Sequence, residues 1–136
     1  MAVLVTGGAG YIGSHMVWEL LDAGESVVVL DRLSTGFEWA VAPEAKLVVG
    51  DVADRELVGQ IIRDNGVDAI IHFAGSIVVP ESVTDPLGYY ENNTCKTRTL
   101  IETAVREGVP HFIFSSTAAV YGGAGLEPVR EDARLA

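Results

Sequence analysis

Four glycines fall within seven residues near the start of this chain: Gly7, Gly8, Gly10 and Gly13. Before them stands a short apolar run, Ala2-Val3-Leu4-Val5-Thr6. After them, Ile12, Met16, Leu20 and Ala23 recur at three to four, the period of a helix. The order is therefore strand, tight turn, helix. Glycine permits backbone conformations and close approaches that any Cβ would forbid. Gly8-x-Gly10-x-x-Gly13 satisfies the fingerprint of a dinucleotide-binding turn, and Gly7-x-x-Gly10-x-x-Gly13 satisfies its shifted variant. In such a turn the first N–H groups of the helix, and the positive end of its dipole, face a pyrophosphate. Gly13 lets the helix lie close on the sheet. Glycine turns also serve plain packing; the strand before and the helix after favour the dinucleotide reading.

The rest of the chain continues the alternation. Residues 26–31, 46–50, 69–73 and 111–115 are short runs rich in Val, Ile and Phe. Near-continuous apolar character suits strands covered on both faces. Between them, helices are predicted over 11–23, 54–65 and about 86–107, closed by Gly24, Gly66 and Gly108, where C-terminal glycines belong. Residues 32–43 are irregular and read as a loop with a short helix. Five strands alternating with helices predict an α/β fold, a Rossmann-type doubly wound parallel sheet of order 3-2-1-4-5. Ligands bind such a sheet at the carboxyl ends of its strands, where the order reverses. The residues that matter should then follow Thr6, Asp31, Gly50, Phe73 and Ser115.

Asp31 ends the second run, eighteen positions after Gly13 and near the ~20 expected of a ribose-binding acid. A carboxylate there accepts hydrogen bonds from ribose hydroxyls and repels a 2′-phosphate, which favours NAD over NADP. Arg32 argues the other way, since an arginine at this point accommodates that phosphate. The plain alternative is a solvated acid at a strand end. Asp51 follows the third run and is placed to reach an adenine amino group.

Composition removes other functions. Nineteen acids against nine Lys and Arg give a net charge of -10, so nucleic acid and anionic membranes are poor partners. The two lysines, Lys46 and Lys96, and the scattered arginines form no basic patch. The single cysteine, Cys95, cannot form an internal disulfide, which fits a cytoplasmic protein. No apolar run approaches the ~20 residues of a membrane span, and the first residues resemble a strand, not a basic leader. His15, His72 and His111 are not spaced as a metal site and read as structural. At 136 residues the chain has room for one domain.

The run from Val3 to His15 resembles the opening of the extended short-chain dehydrogenases/reductases, the NAD-dependent epimerases and dehydratases. Further segments agree: Gly50-Asp51-Val52, Ile71-His72-Phe73-Ala74-Gly75, Glu81-Ser82-Val83, Pro86-Leu87 with Tyr89-Tyr90-Glu91-Asn92-Asn93, and residues 112–122. The stretch 89–93 is most similar to members that epimerise nucleotide sugars. This resemblance implies NAD as cofactor and UDP-glucose or UDP-galactose as substrate, interconverted through a 4-keto sugar. It implies that Gly7, Gly10, Tyr11, Ile12 and Gly13 hold the pyrophosphate. Asp31, Ser34, Thr35 and Gly36 would surround the adenosine ribose, with Asp51 and Val52 beside the adenine. Phe73, Ala74 and Gly75 would line the cofactor, with Asn92 hydrogen-bonding near it and Ser115 at its nicotinamide end. Thr117 takes the place of the catalytic hydroxyl. Without the resemblance, residues 115–117 read as a polar strand end satisfying its own backbone. Ile77 departs from relatives that carry a lysine there.

The resemblance also implies a catalytic tyrosine with a lysine four residues on, both on one helix face. No tyrosine here has one: Tyr11 is followed by His15, Tyr89 by Asn93, Tyr90 by Thr94 and Tyr121 by Gly125. Tyr89 and Tyr90 read as packing. The expectation is the NAD-binding portion, residues 1–136, of a longer enzyme, without its substrate domain and inactive alone. Its fifth strand should be an open edge and its long helix partly uncovered, and the family implies a homodimer through that helix. Two alternatives remain: a nucleotide-sugar dehydratase or reductase, and a dinucleotide-binding module without catalysis.

Overall fold

Five parallel strands form one sheet: β1 (Ala2–Thr6), β2 (Ser26–Asp31), β3 (Lys46–Val49), β4 (Ala69–His72) and β5 (His111–Phe114). Their order is β3-β2-β1-β4-β5, as the alternation predicts. The computed structural model describes residues 1–122 and 128–135; Gly125 and Ala136, which figure in the expectations above, lie outside them. The helices are α1 (Tyr11–Asp22), α2 (Arg55–Asn65), α3 (Val79–Thr84), α4 (Pro86–Tyr90) and α5 (Lys96–Arg106). A π-helical turn, Glu91–Cys95, joins α4 to α5. Short 3-10 turns occupy Glu38–Ala40 and Ala118–Tyr121.

Strand alternation divides the core into two layers. Leu4 of β1, with Val28, Leu30 and Ile70, packs on Val58, Ile61 and Ile62 of α2 and on Leu100 and Ala104 of α5. Val3 and Val5, with Val27, Val29 and Ile71, pack on the other face against Val17 of α1. Each such side chain contributes about 1.5–3 kcal/mol when fully buried, so β1 is held from both sides.

Local signals set the ends. Asp54 caps α2 by accepting the Leu57 N–H at 3.0 Å, and Gly66 ends it with φ 60°. Gly24 and Gly108 also take positive φ after their helices. The strands stop one residue short of the predicted 50, 73 and 115.

Three expectations need correction. The fully buried residues of α1 are Gly13, Ser14 and Val17; of the predicted stripe, Met16 and Leu20 pack half-buried against the same core, while Ile12, 61% exposed, and Ala23 face outward. Close approach to the glycine turn selects small residues for the fully buried positions, which an apolar count passes over. The helix predicted over 86–107 is two α segments around a π turn, preceded by the short α3 that Pro80 opens. Not every strand is covered on both faces either. Val49 of β3 and Ile113 and Phe114 of β5 are exposed, because these strands lie at the ends of the sheet order. For β5 this is the open edge that was expected. Leu87, Ile101 and Val105 on the long helix are exposed as well.

Candidate dinucleotide-binding site

The carboxyl ends of the five strands are tied into one rim. The Gly50 N–H donates to Asp31 O, the Gly7 N–H to Leu30 O, the Phe73 N–H to Thr6 O and the Ser115 N–H to His72 O. The residues after each strand therefore stand beside one another in sheet order. This is the row the sequence predicts, with Gly7, Asp31, Asp51, Phe73 and Ser115 all on it.

The glycine turn is tightly closed. Gly7 has φ 75° and, given a Cβ, would meet Ala74 N at 2.7 Å. A Cβ on Gly13 would lie 2.2 Å from Gly7 O. Gly10 precedes α1 without any side-chain cap, and its N–H donates to Gly7 O. The N–H groups of Tyr11, Ile12 and Gly13 find no acceptor among the described residues. Three open donors at the positive end of a helix are what a diphosphate requires.

Asp31 does two jobs locally. Its Oδ2 accepts the Ala9 N–H at 3.0 Å and its Oδ1 the Leu33 N–H at 2.8 Å. It thus laces the loop after β2 to the glycine turn. Two further contacts reinforce this: the Phe37 N–H donates to Ala9 O, and a Cβ on Gly36 would sit 2.8 Å from Ala9 backbone atoms. A carboxylate offers about four lone-pair sites, so two remain for a ribose. Ser34 and Thr35 lie exposed in the same loop.

Asp51 is embedded in charge. Its Oδ2 lies 2.6 Å from Lys96 Nζ and 3.4 Å from Arg32 Nη1, while its Oδ1 accepts the Ala53 N–H at 2.9 Å. Burial opposes its ionisation. The Lys96 hydrogen bond, the Ala53 N–H and the two positive charges outweigh burial and hold the carboxyl below its usual pKa. Val52 beside it is buried. Sequence reasoning missed Lys96 as a site residue; its place on α5 gave no signal until the helix was docked.

After β4, the π turn organises the loop. Successive α-helical side chains point about 100° apart, so neighbours rarely grip one target; a π turn changes that spacing. Asn93 accepts the Ser76 N–H at 2.7 Å through Oδ1 and donates to Ser76 O at 2.9 Å through Nδ2. Asn92 Nδ2 donates to Ser76 Oγ at 2.9 Å. Both asparagines therefore clamp one residue, and through it the strand end that carries Phe73, Ala74 and Gly75. Asn93→Ala should raise hydrogen exchange at the Ser76 amide roughly tenfold, the worth of one net hydrogen bond. Exchange at the wild-type rate would mean that the loop is held elsewhere.

Thr117 stands past the rim, at the start of the 3-10 turn that follows β5. The Thr117 hydroxyl accepts the Ala119 N–H at 3.1 Å, capping its own turn as the plainer reading holds, and Thr117 and Ser115 are exposed. Ile77 is 86% exposed and contributes no charge. Tyr89 is a strut: its hydroxyl accepts the Val78 N–H at 3.1 Å and lies 2.7 Å from Val78 O and 3.0 Å from Glu81 Oε2. Burial and the Glu81 carboxylate push its pKa up, which keeps it a neutral phenol.

Comparison with known proteins decides the family. Residues 3–135 match the profile of the NAD dependent epimerase/dehydratase family. The chain belongs to that family. Among curated family members, a UDP-glucose 4-epimerase of Azospirillum brasilense is 54% identical over 96% of the chain, and one of Streptococcus mutans 51% identical over 96%. The Brucella ovis UDP-glucose 4-epimerase, solved in complex with NAD, superposes with a TM-score of 0.88 at 39% identity, over 99% of this chain and 41% of that one. The Bifidobacterium longum enzyme, solved with NAD+ and UDP, gives 0.87 at 37% identity, over 100% of this chain and 43% of its own. The chain spans about 40% of the length of its curated relatives, 38% for the Azospirillum enzyme and 40% for the Streptococcus one. No helix among the described residues is long and apolar enough to cross a membrane.

Proposed function

We propose that this chain is the NAD-binding portion of a UDP-glucose 4-epimerase. The observation that carries the reading is the open N-terminus of α1, set beside Asp31 on the rim. Gly7, Gly10 and Gly13 leave room for a pyrophosphate on the Tyr11, Ile12 and Gly13 N–H groups. Asp31 would take the ribose hydroxyls on its two spare lone pairs, with Ser34, Thr35 and Gly36 closing that side and Asp51 and Val52 flanking adenine. Phe73, Ala74 and Gly75 would line the middle of the cleft, with Asn92 beside them. Bound NAD supplies a hydride acceptor and donor for the sugar. Ser115 would stand at the nicotinamide end, and the Thr117 hydroxyl, which keeps its own proton while capping its turn, would donate to a sugar oxygen.

Two extensions go with this reading. The exposed Leu87, Ile101 and Val105 suit a helical interface between two copies. The free Cys95 suits a reducing compartment such as the cytoplasm.

Calorimetric titration of the chain with NAD+ tests the cofactor assignment: saturable one-to-one binding is expected, and none at millimolar NAD+ would defeat it. The complete gene product should convert UDP-glucose to UDP-galactose. Accumulation of a 4-keto sugar instead would assign a dehydratase. Residues 1–136 alone, lacking any Tyr-x-x-x-Lys, should bind without turnover.

A further inference from the structure

Arg32 follows the ribose-side acid directly, where an arginine can take up a 2′-phosphate. Its guanidinium is engaged elsewhere, 3.4 Å from Asp51 Oδ2. We propose that Asp51 sets the preference for NAD over NADP by holding Arg32, together with Lys96, away from the ribose. The proposal rests on the dinucleotide reading above and adds to it a residue that decides which dinucleotide is taken.

Three elements fix the Asp51 carboxylate. The loop after β3 supplies the Ala53 N–H to Oδ1, α5 supplies Lys96, and the loop after β2 supplies Arg32. Lys96 is 19% exposed and Asp51 31%, so that pair is partly withdrawn from water and less screened than a surface contact, whereas Arg32, 43% exposed, is the more screened partner. The local charge balances, with Asp31 and Asp51 against Arg32 and Lys96. An added 2′-phosphate carries about -1.5 to -2 charges near neutral pH. It meets no net positive charge here, lies beside Asp31, and must compete with Asp51 for Arg32, whose Nη1 is already on that carboxylate. NAD, without that phosphate, faces no such competition.

The test is calorimetric, with NAD+ and NADP+ titrated into the chain and the ratio of their dissociation constants read out. Asp51→Asn keeps the shape, releases Arg32 and leaves the cluster with one excess positive charge. A weaker grip on adenine in this variant affects both dinucleotides alike, so the ratio isolates the phosphate. The discrimination against NADP should fall roughly tenfold, the scale of one partly screened charge pair. Adding Arg32→Ala to Asp51→Asn should restore most of it. Lys96→Met leaves Arg32 as the one cation on the carboxylate and should preserve the discrimination or sharpen it. An unchanged ratio in Asp51→Asn, or relaxed discrimination in Lys96→Met, overturns the proposal while NAD binding itself stands. If the wild-type chain binds neither dinucleotide, both readings fall.

Discussion

Gly13→Ala should lower stability by about 3 kcal/mol and weaken NAD binding by roughly 100-fold. The added methyl would lie 2.2 Å from Gly7 O and 2.9 Å from Gly7 C and Gly8 Cα. All three are backbone atoms, so no rotamer can relieve the clash. Nor can the turn retreat. Gly7 is bonded to Leu30 O, and on its other side it packs against Ala74. Overpacking a rigid site costs typically 1–3 kcal/mol, and this clash lies at the severe end. Opening the turn would also swing away the N–H groups of Tyr11 and Ile12. Two hydrogen bonds to a charged group, each at the lower end of the usual range, about 1.5 kcal/mol, account for the loss of affinity. Gly24→Ala is the control: its Cβ meets nothing within 4 Å, so only the positive φ is penalised and binding should survive. Thermal melts and calorimetry on the two variants decide the matter. Wild-type affinity in Gly13→Ala would remove the glycine turn from the site.

The second large effect is acid lability centred on His72. The ring is 2% exposed and bridges the sheet to α5: Nδ1 lies 2.6 Å from Thr6 Oγ1 and Nε2 2.9 Å from Thr97 Oγ1. Thr6 and His72 are register partners across β1 and β4, which places the pair directly beneath the rim. A neutral imidazole has one donor and one acceptor, and two hydroxyls satisfy both. Burial lowers its pKa from 6.5 to about 4. The unfolded chain takes up a proton near 6.5 while the folded chain does not. Stability is therefore full above that pH and falls as the pH drops from 6.5 towards 4. The total loss should be about 3 kcal/mol, at 1.36 kcal/mol per pKa unit. In His72→Gln, which can still bond both threonines, this component should vanish. Denaturant titrations of both proteins from pH 7 to pH 4.5 isolate it, because the carboxylates they share cancel in the difference. Parallel curves would show that His72 does not carry the acid sensitivity.

Much of the fold could be read from the chain itself. Apolar runs and terminal glycines located five strands and the helices α1 and α2, because strand and helix periods are local properties and Gly24, Gly66 and Gly108 mark ends by φ. The strand order followed from the handedness of crossovers. The rim followed in turn, and with it the places of Gly7, Asp31, Asp51, Phe73 and Ser115. What stayed hidden depended on partners distant in sequence. Asp31 looked like a ribose ligand, and only the folded chain reveals that it also ties the Ala9 and Leu33 amides together. The π turn has no local signature, because Ser76, seventeen positions before Asn93, is what rewards the unusual spacing. Asp51 and Lys96 lie 45 positions apart, and no periodicity links them.

Residue types at short, countable intervals carry the architecture, the glycine turn and the absence of a Tyr-x-x-x-Lys pair, so all three were legible before folding. Folding alone set where charge and hydrogen bonds close: Arg32 on Asp51, two asparagines on one serine, and a histidine locked between threonines. Those choices depend on distances between separate elements, and such distances exist only after the two faces of the sheet have been covered.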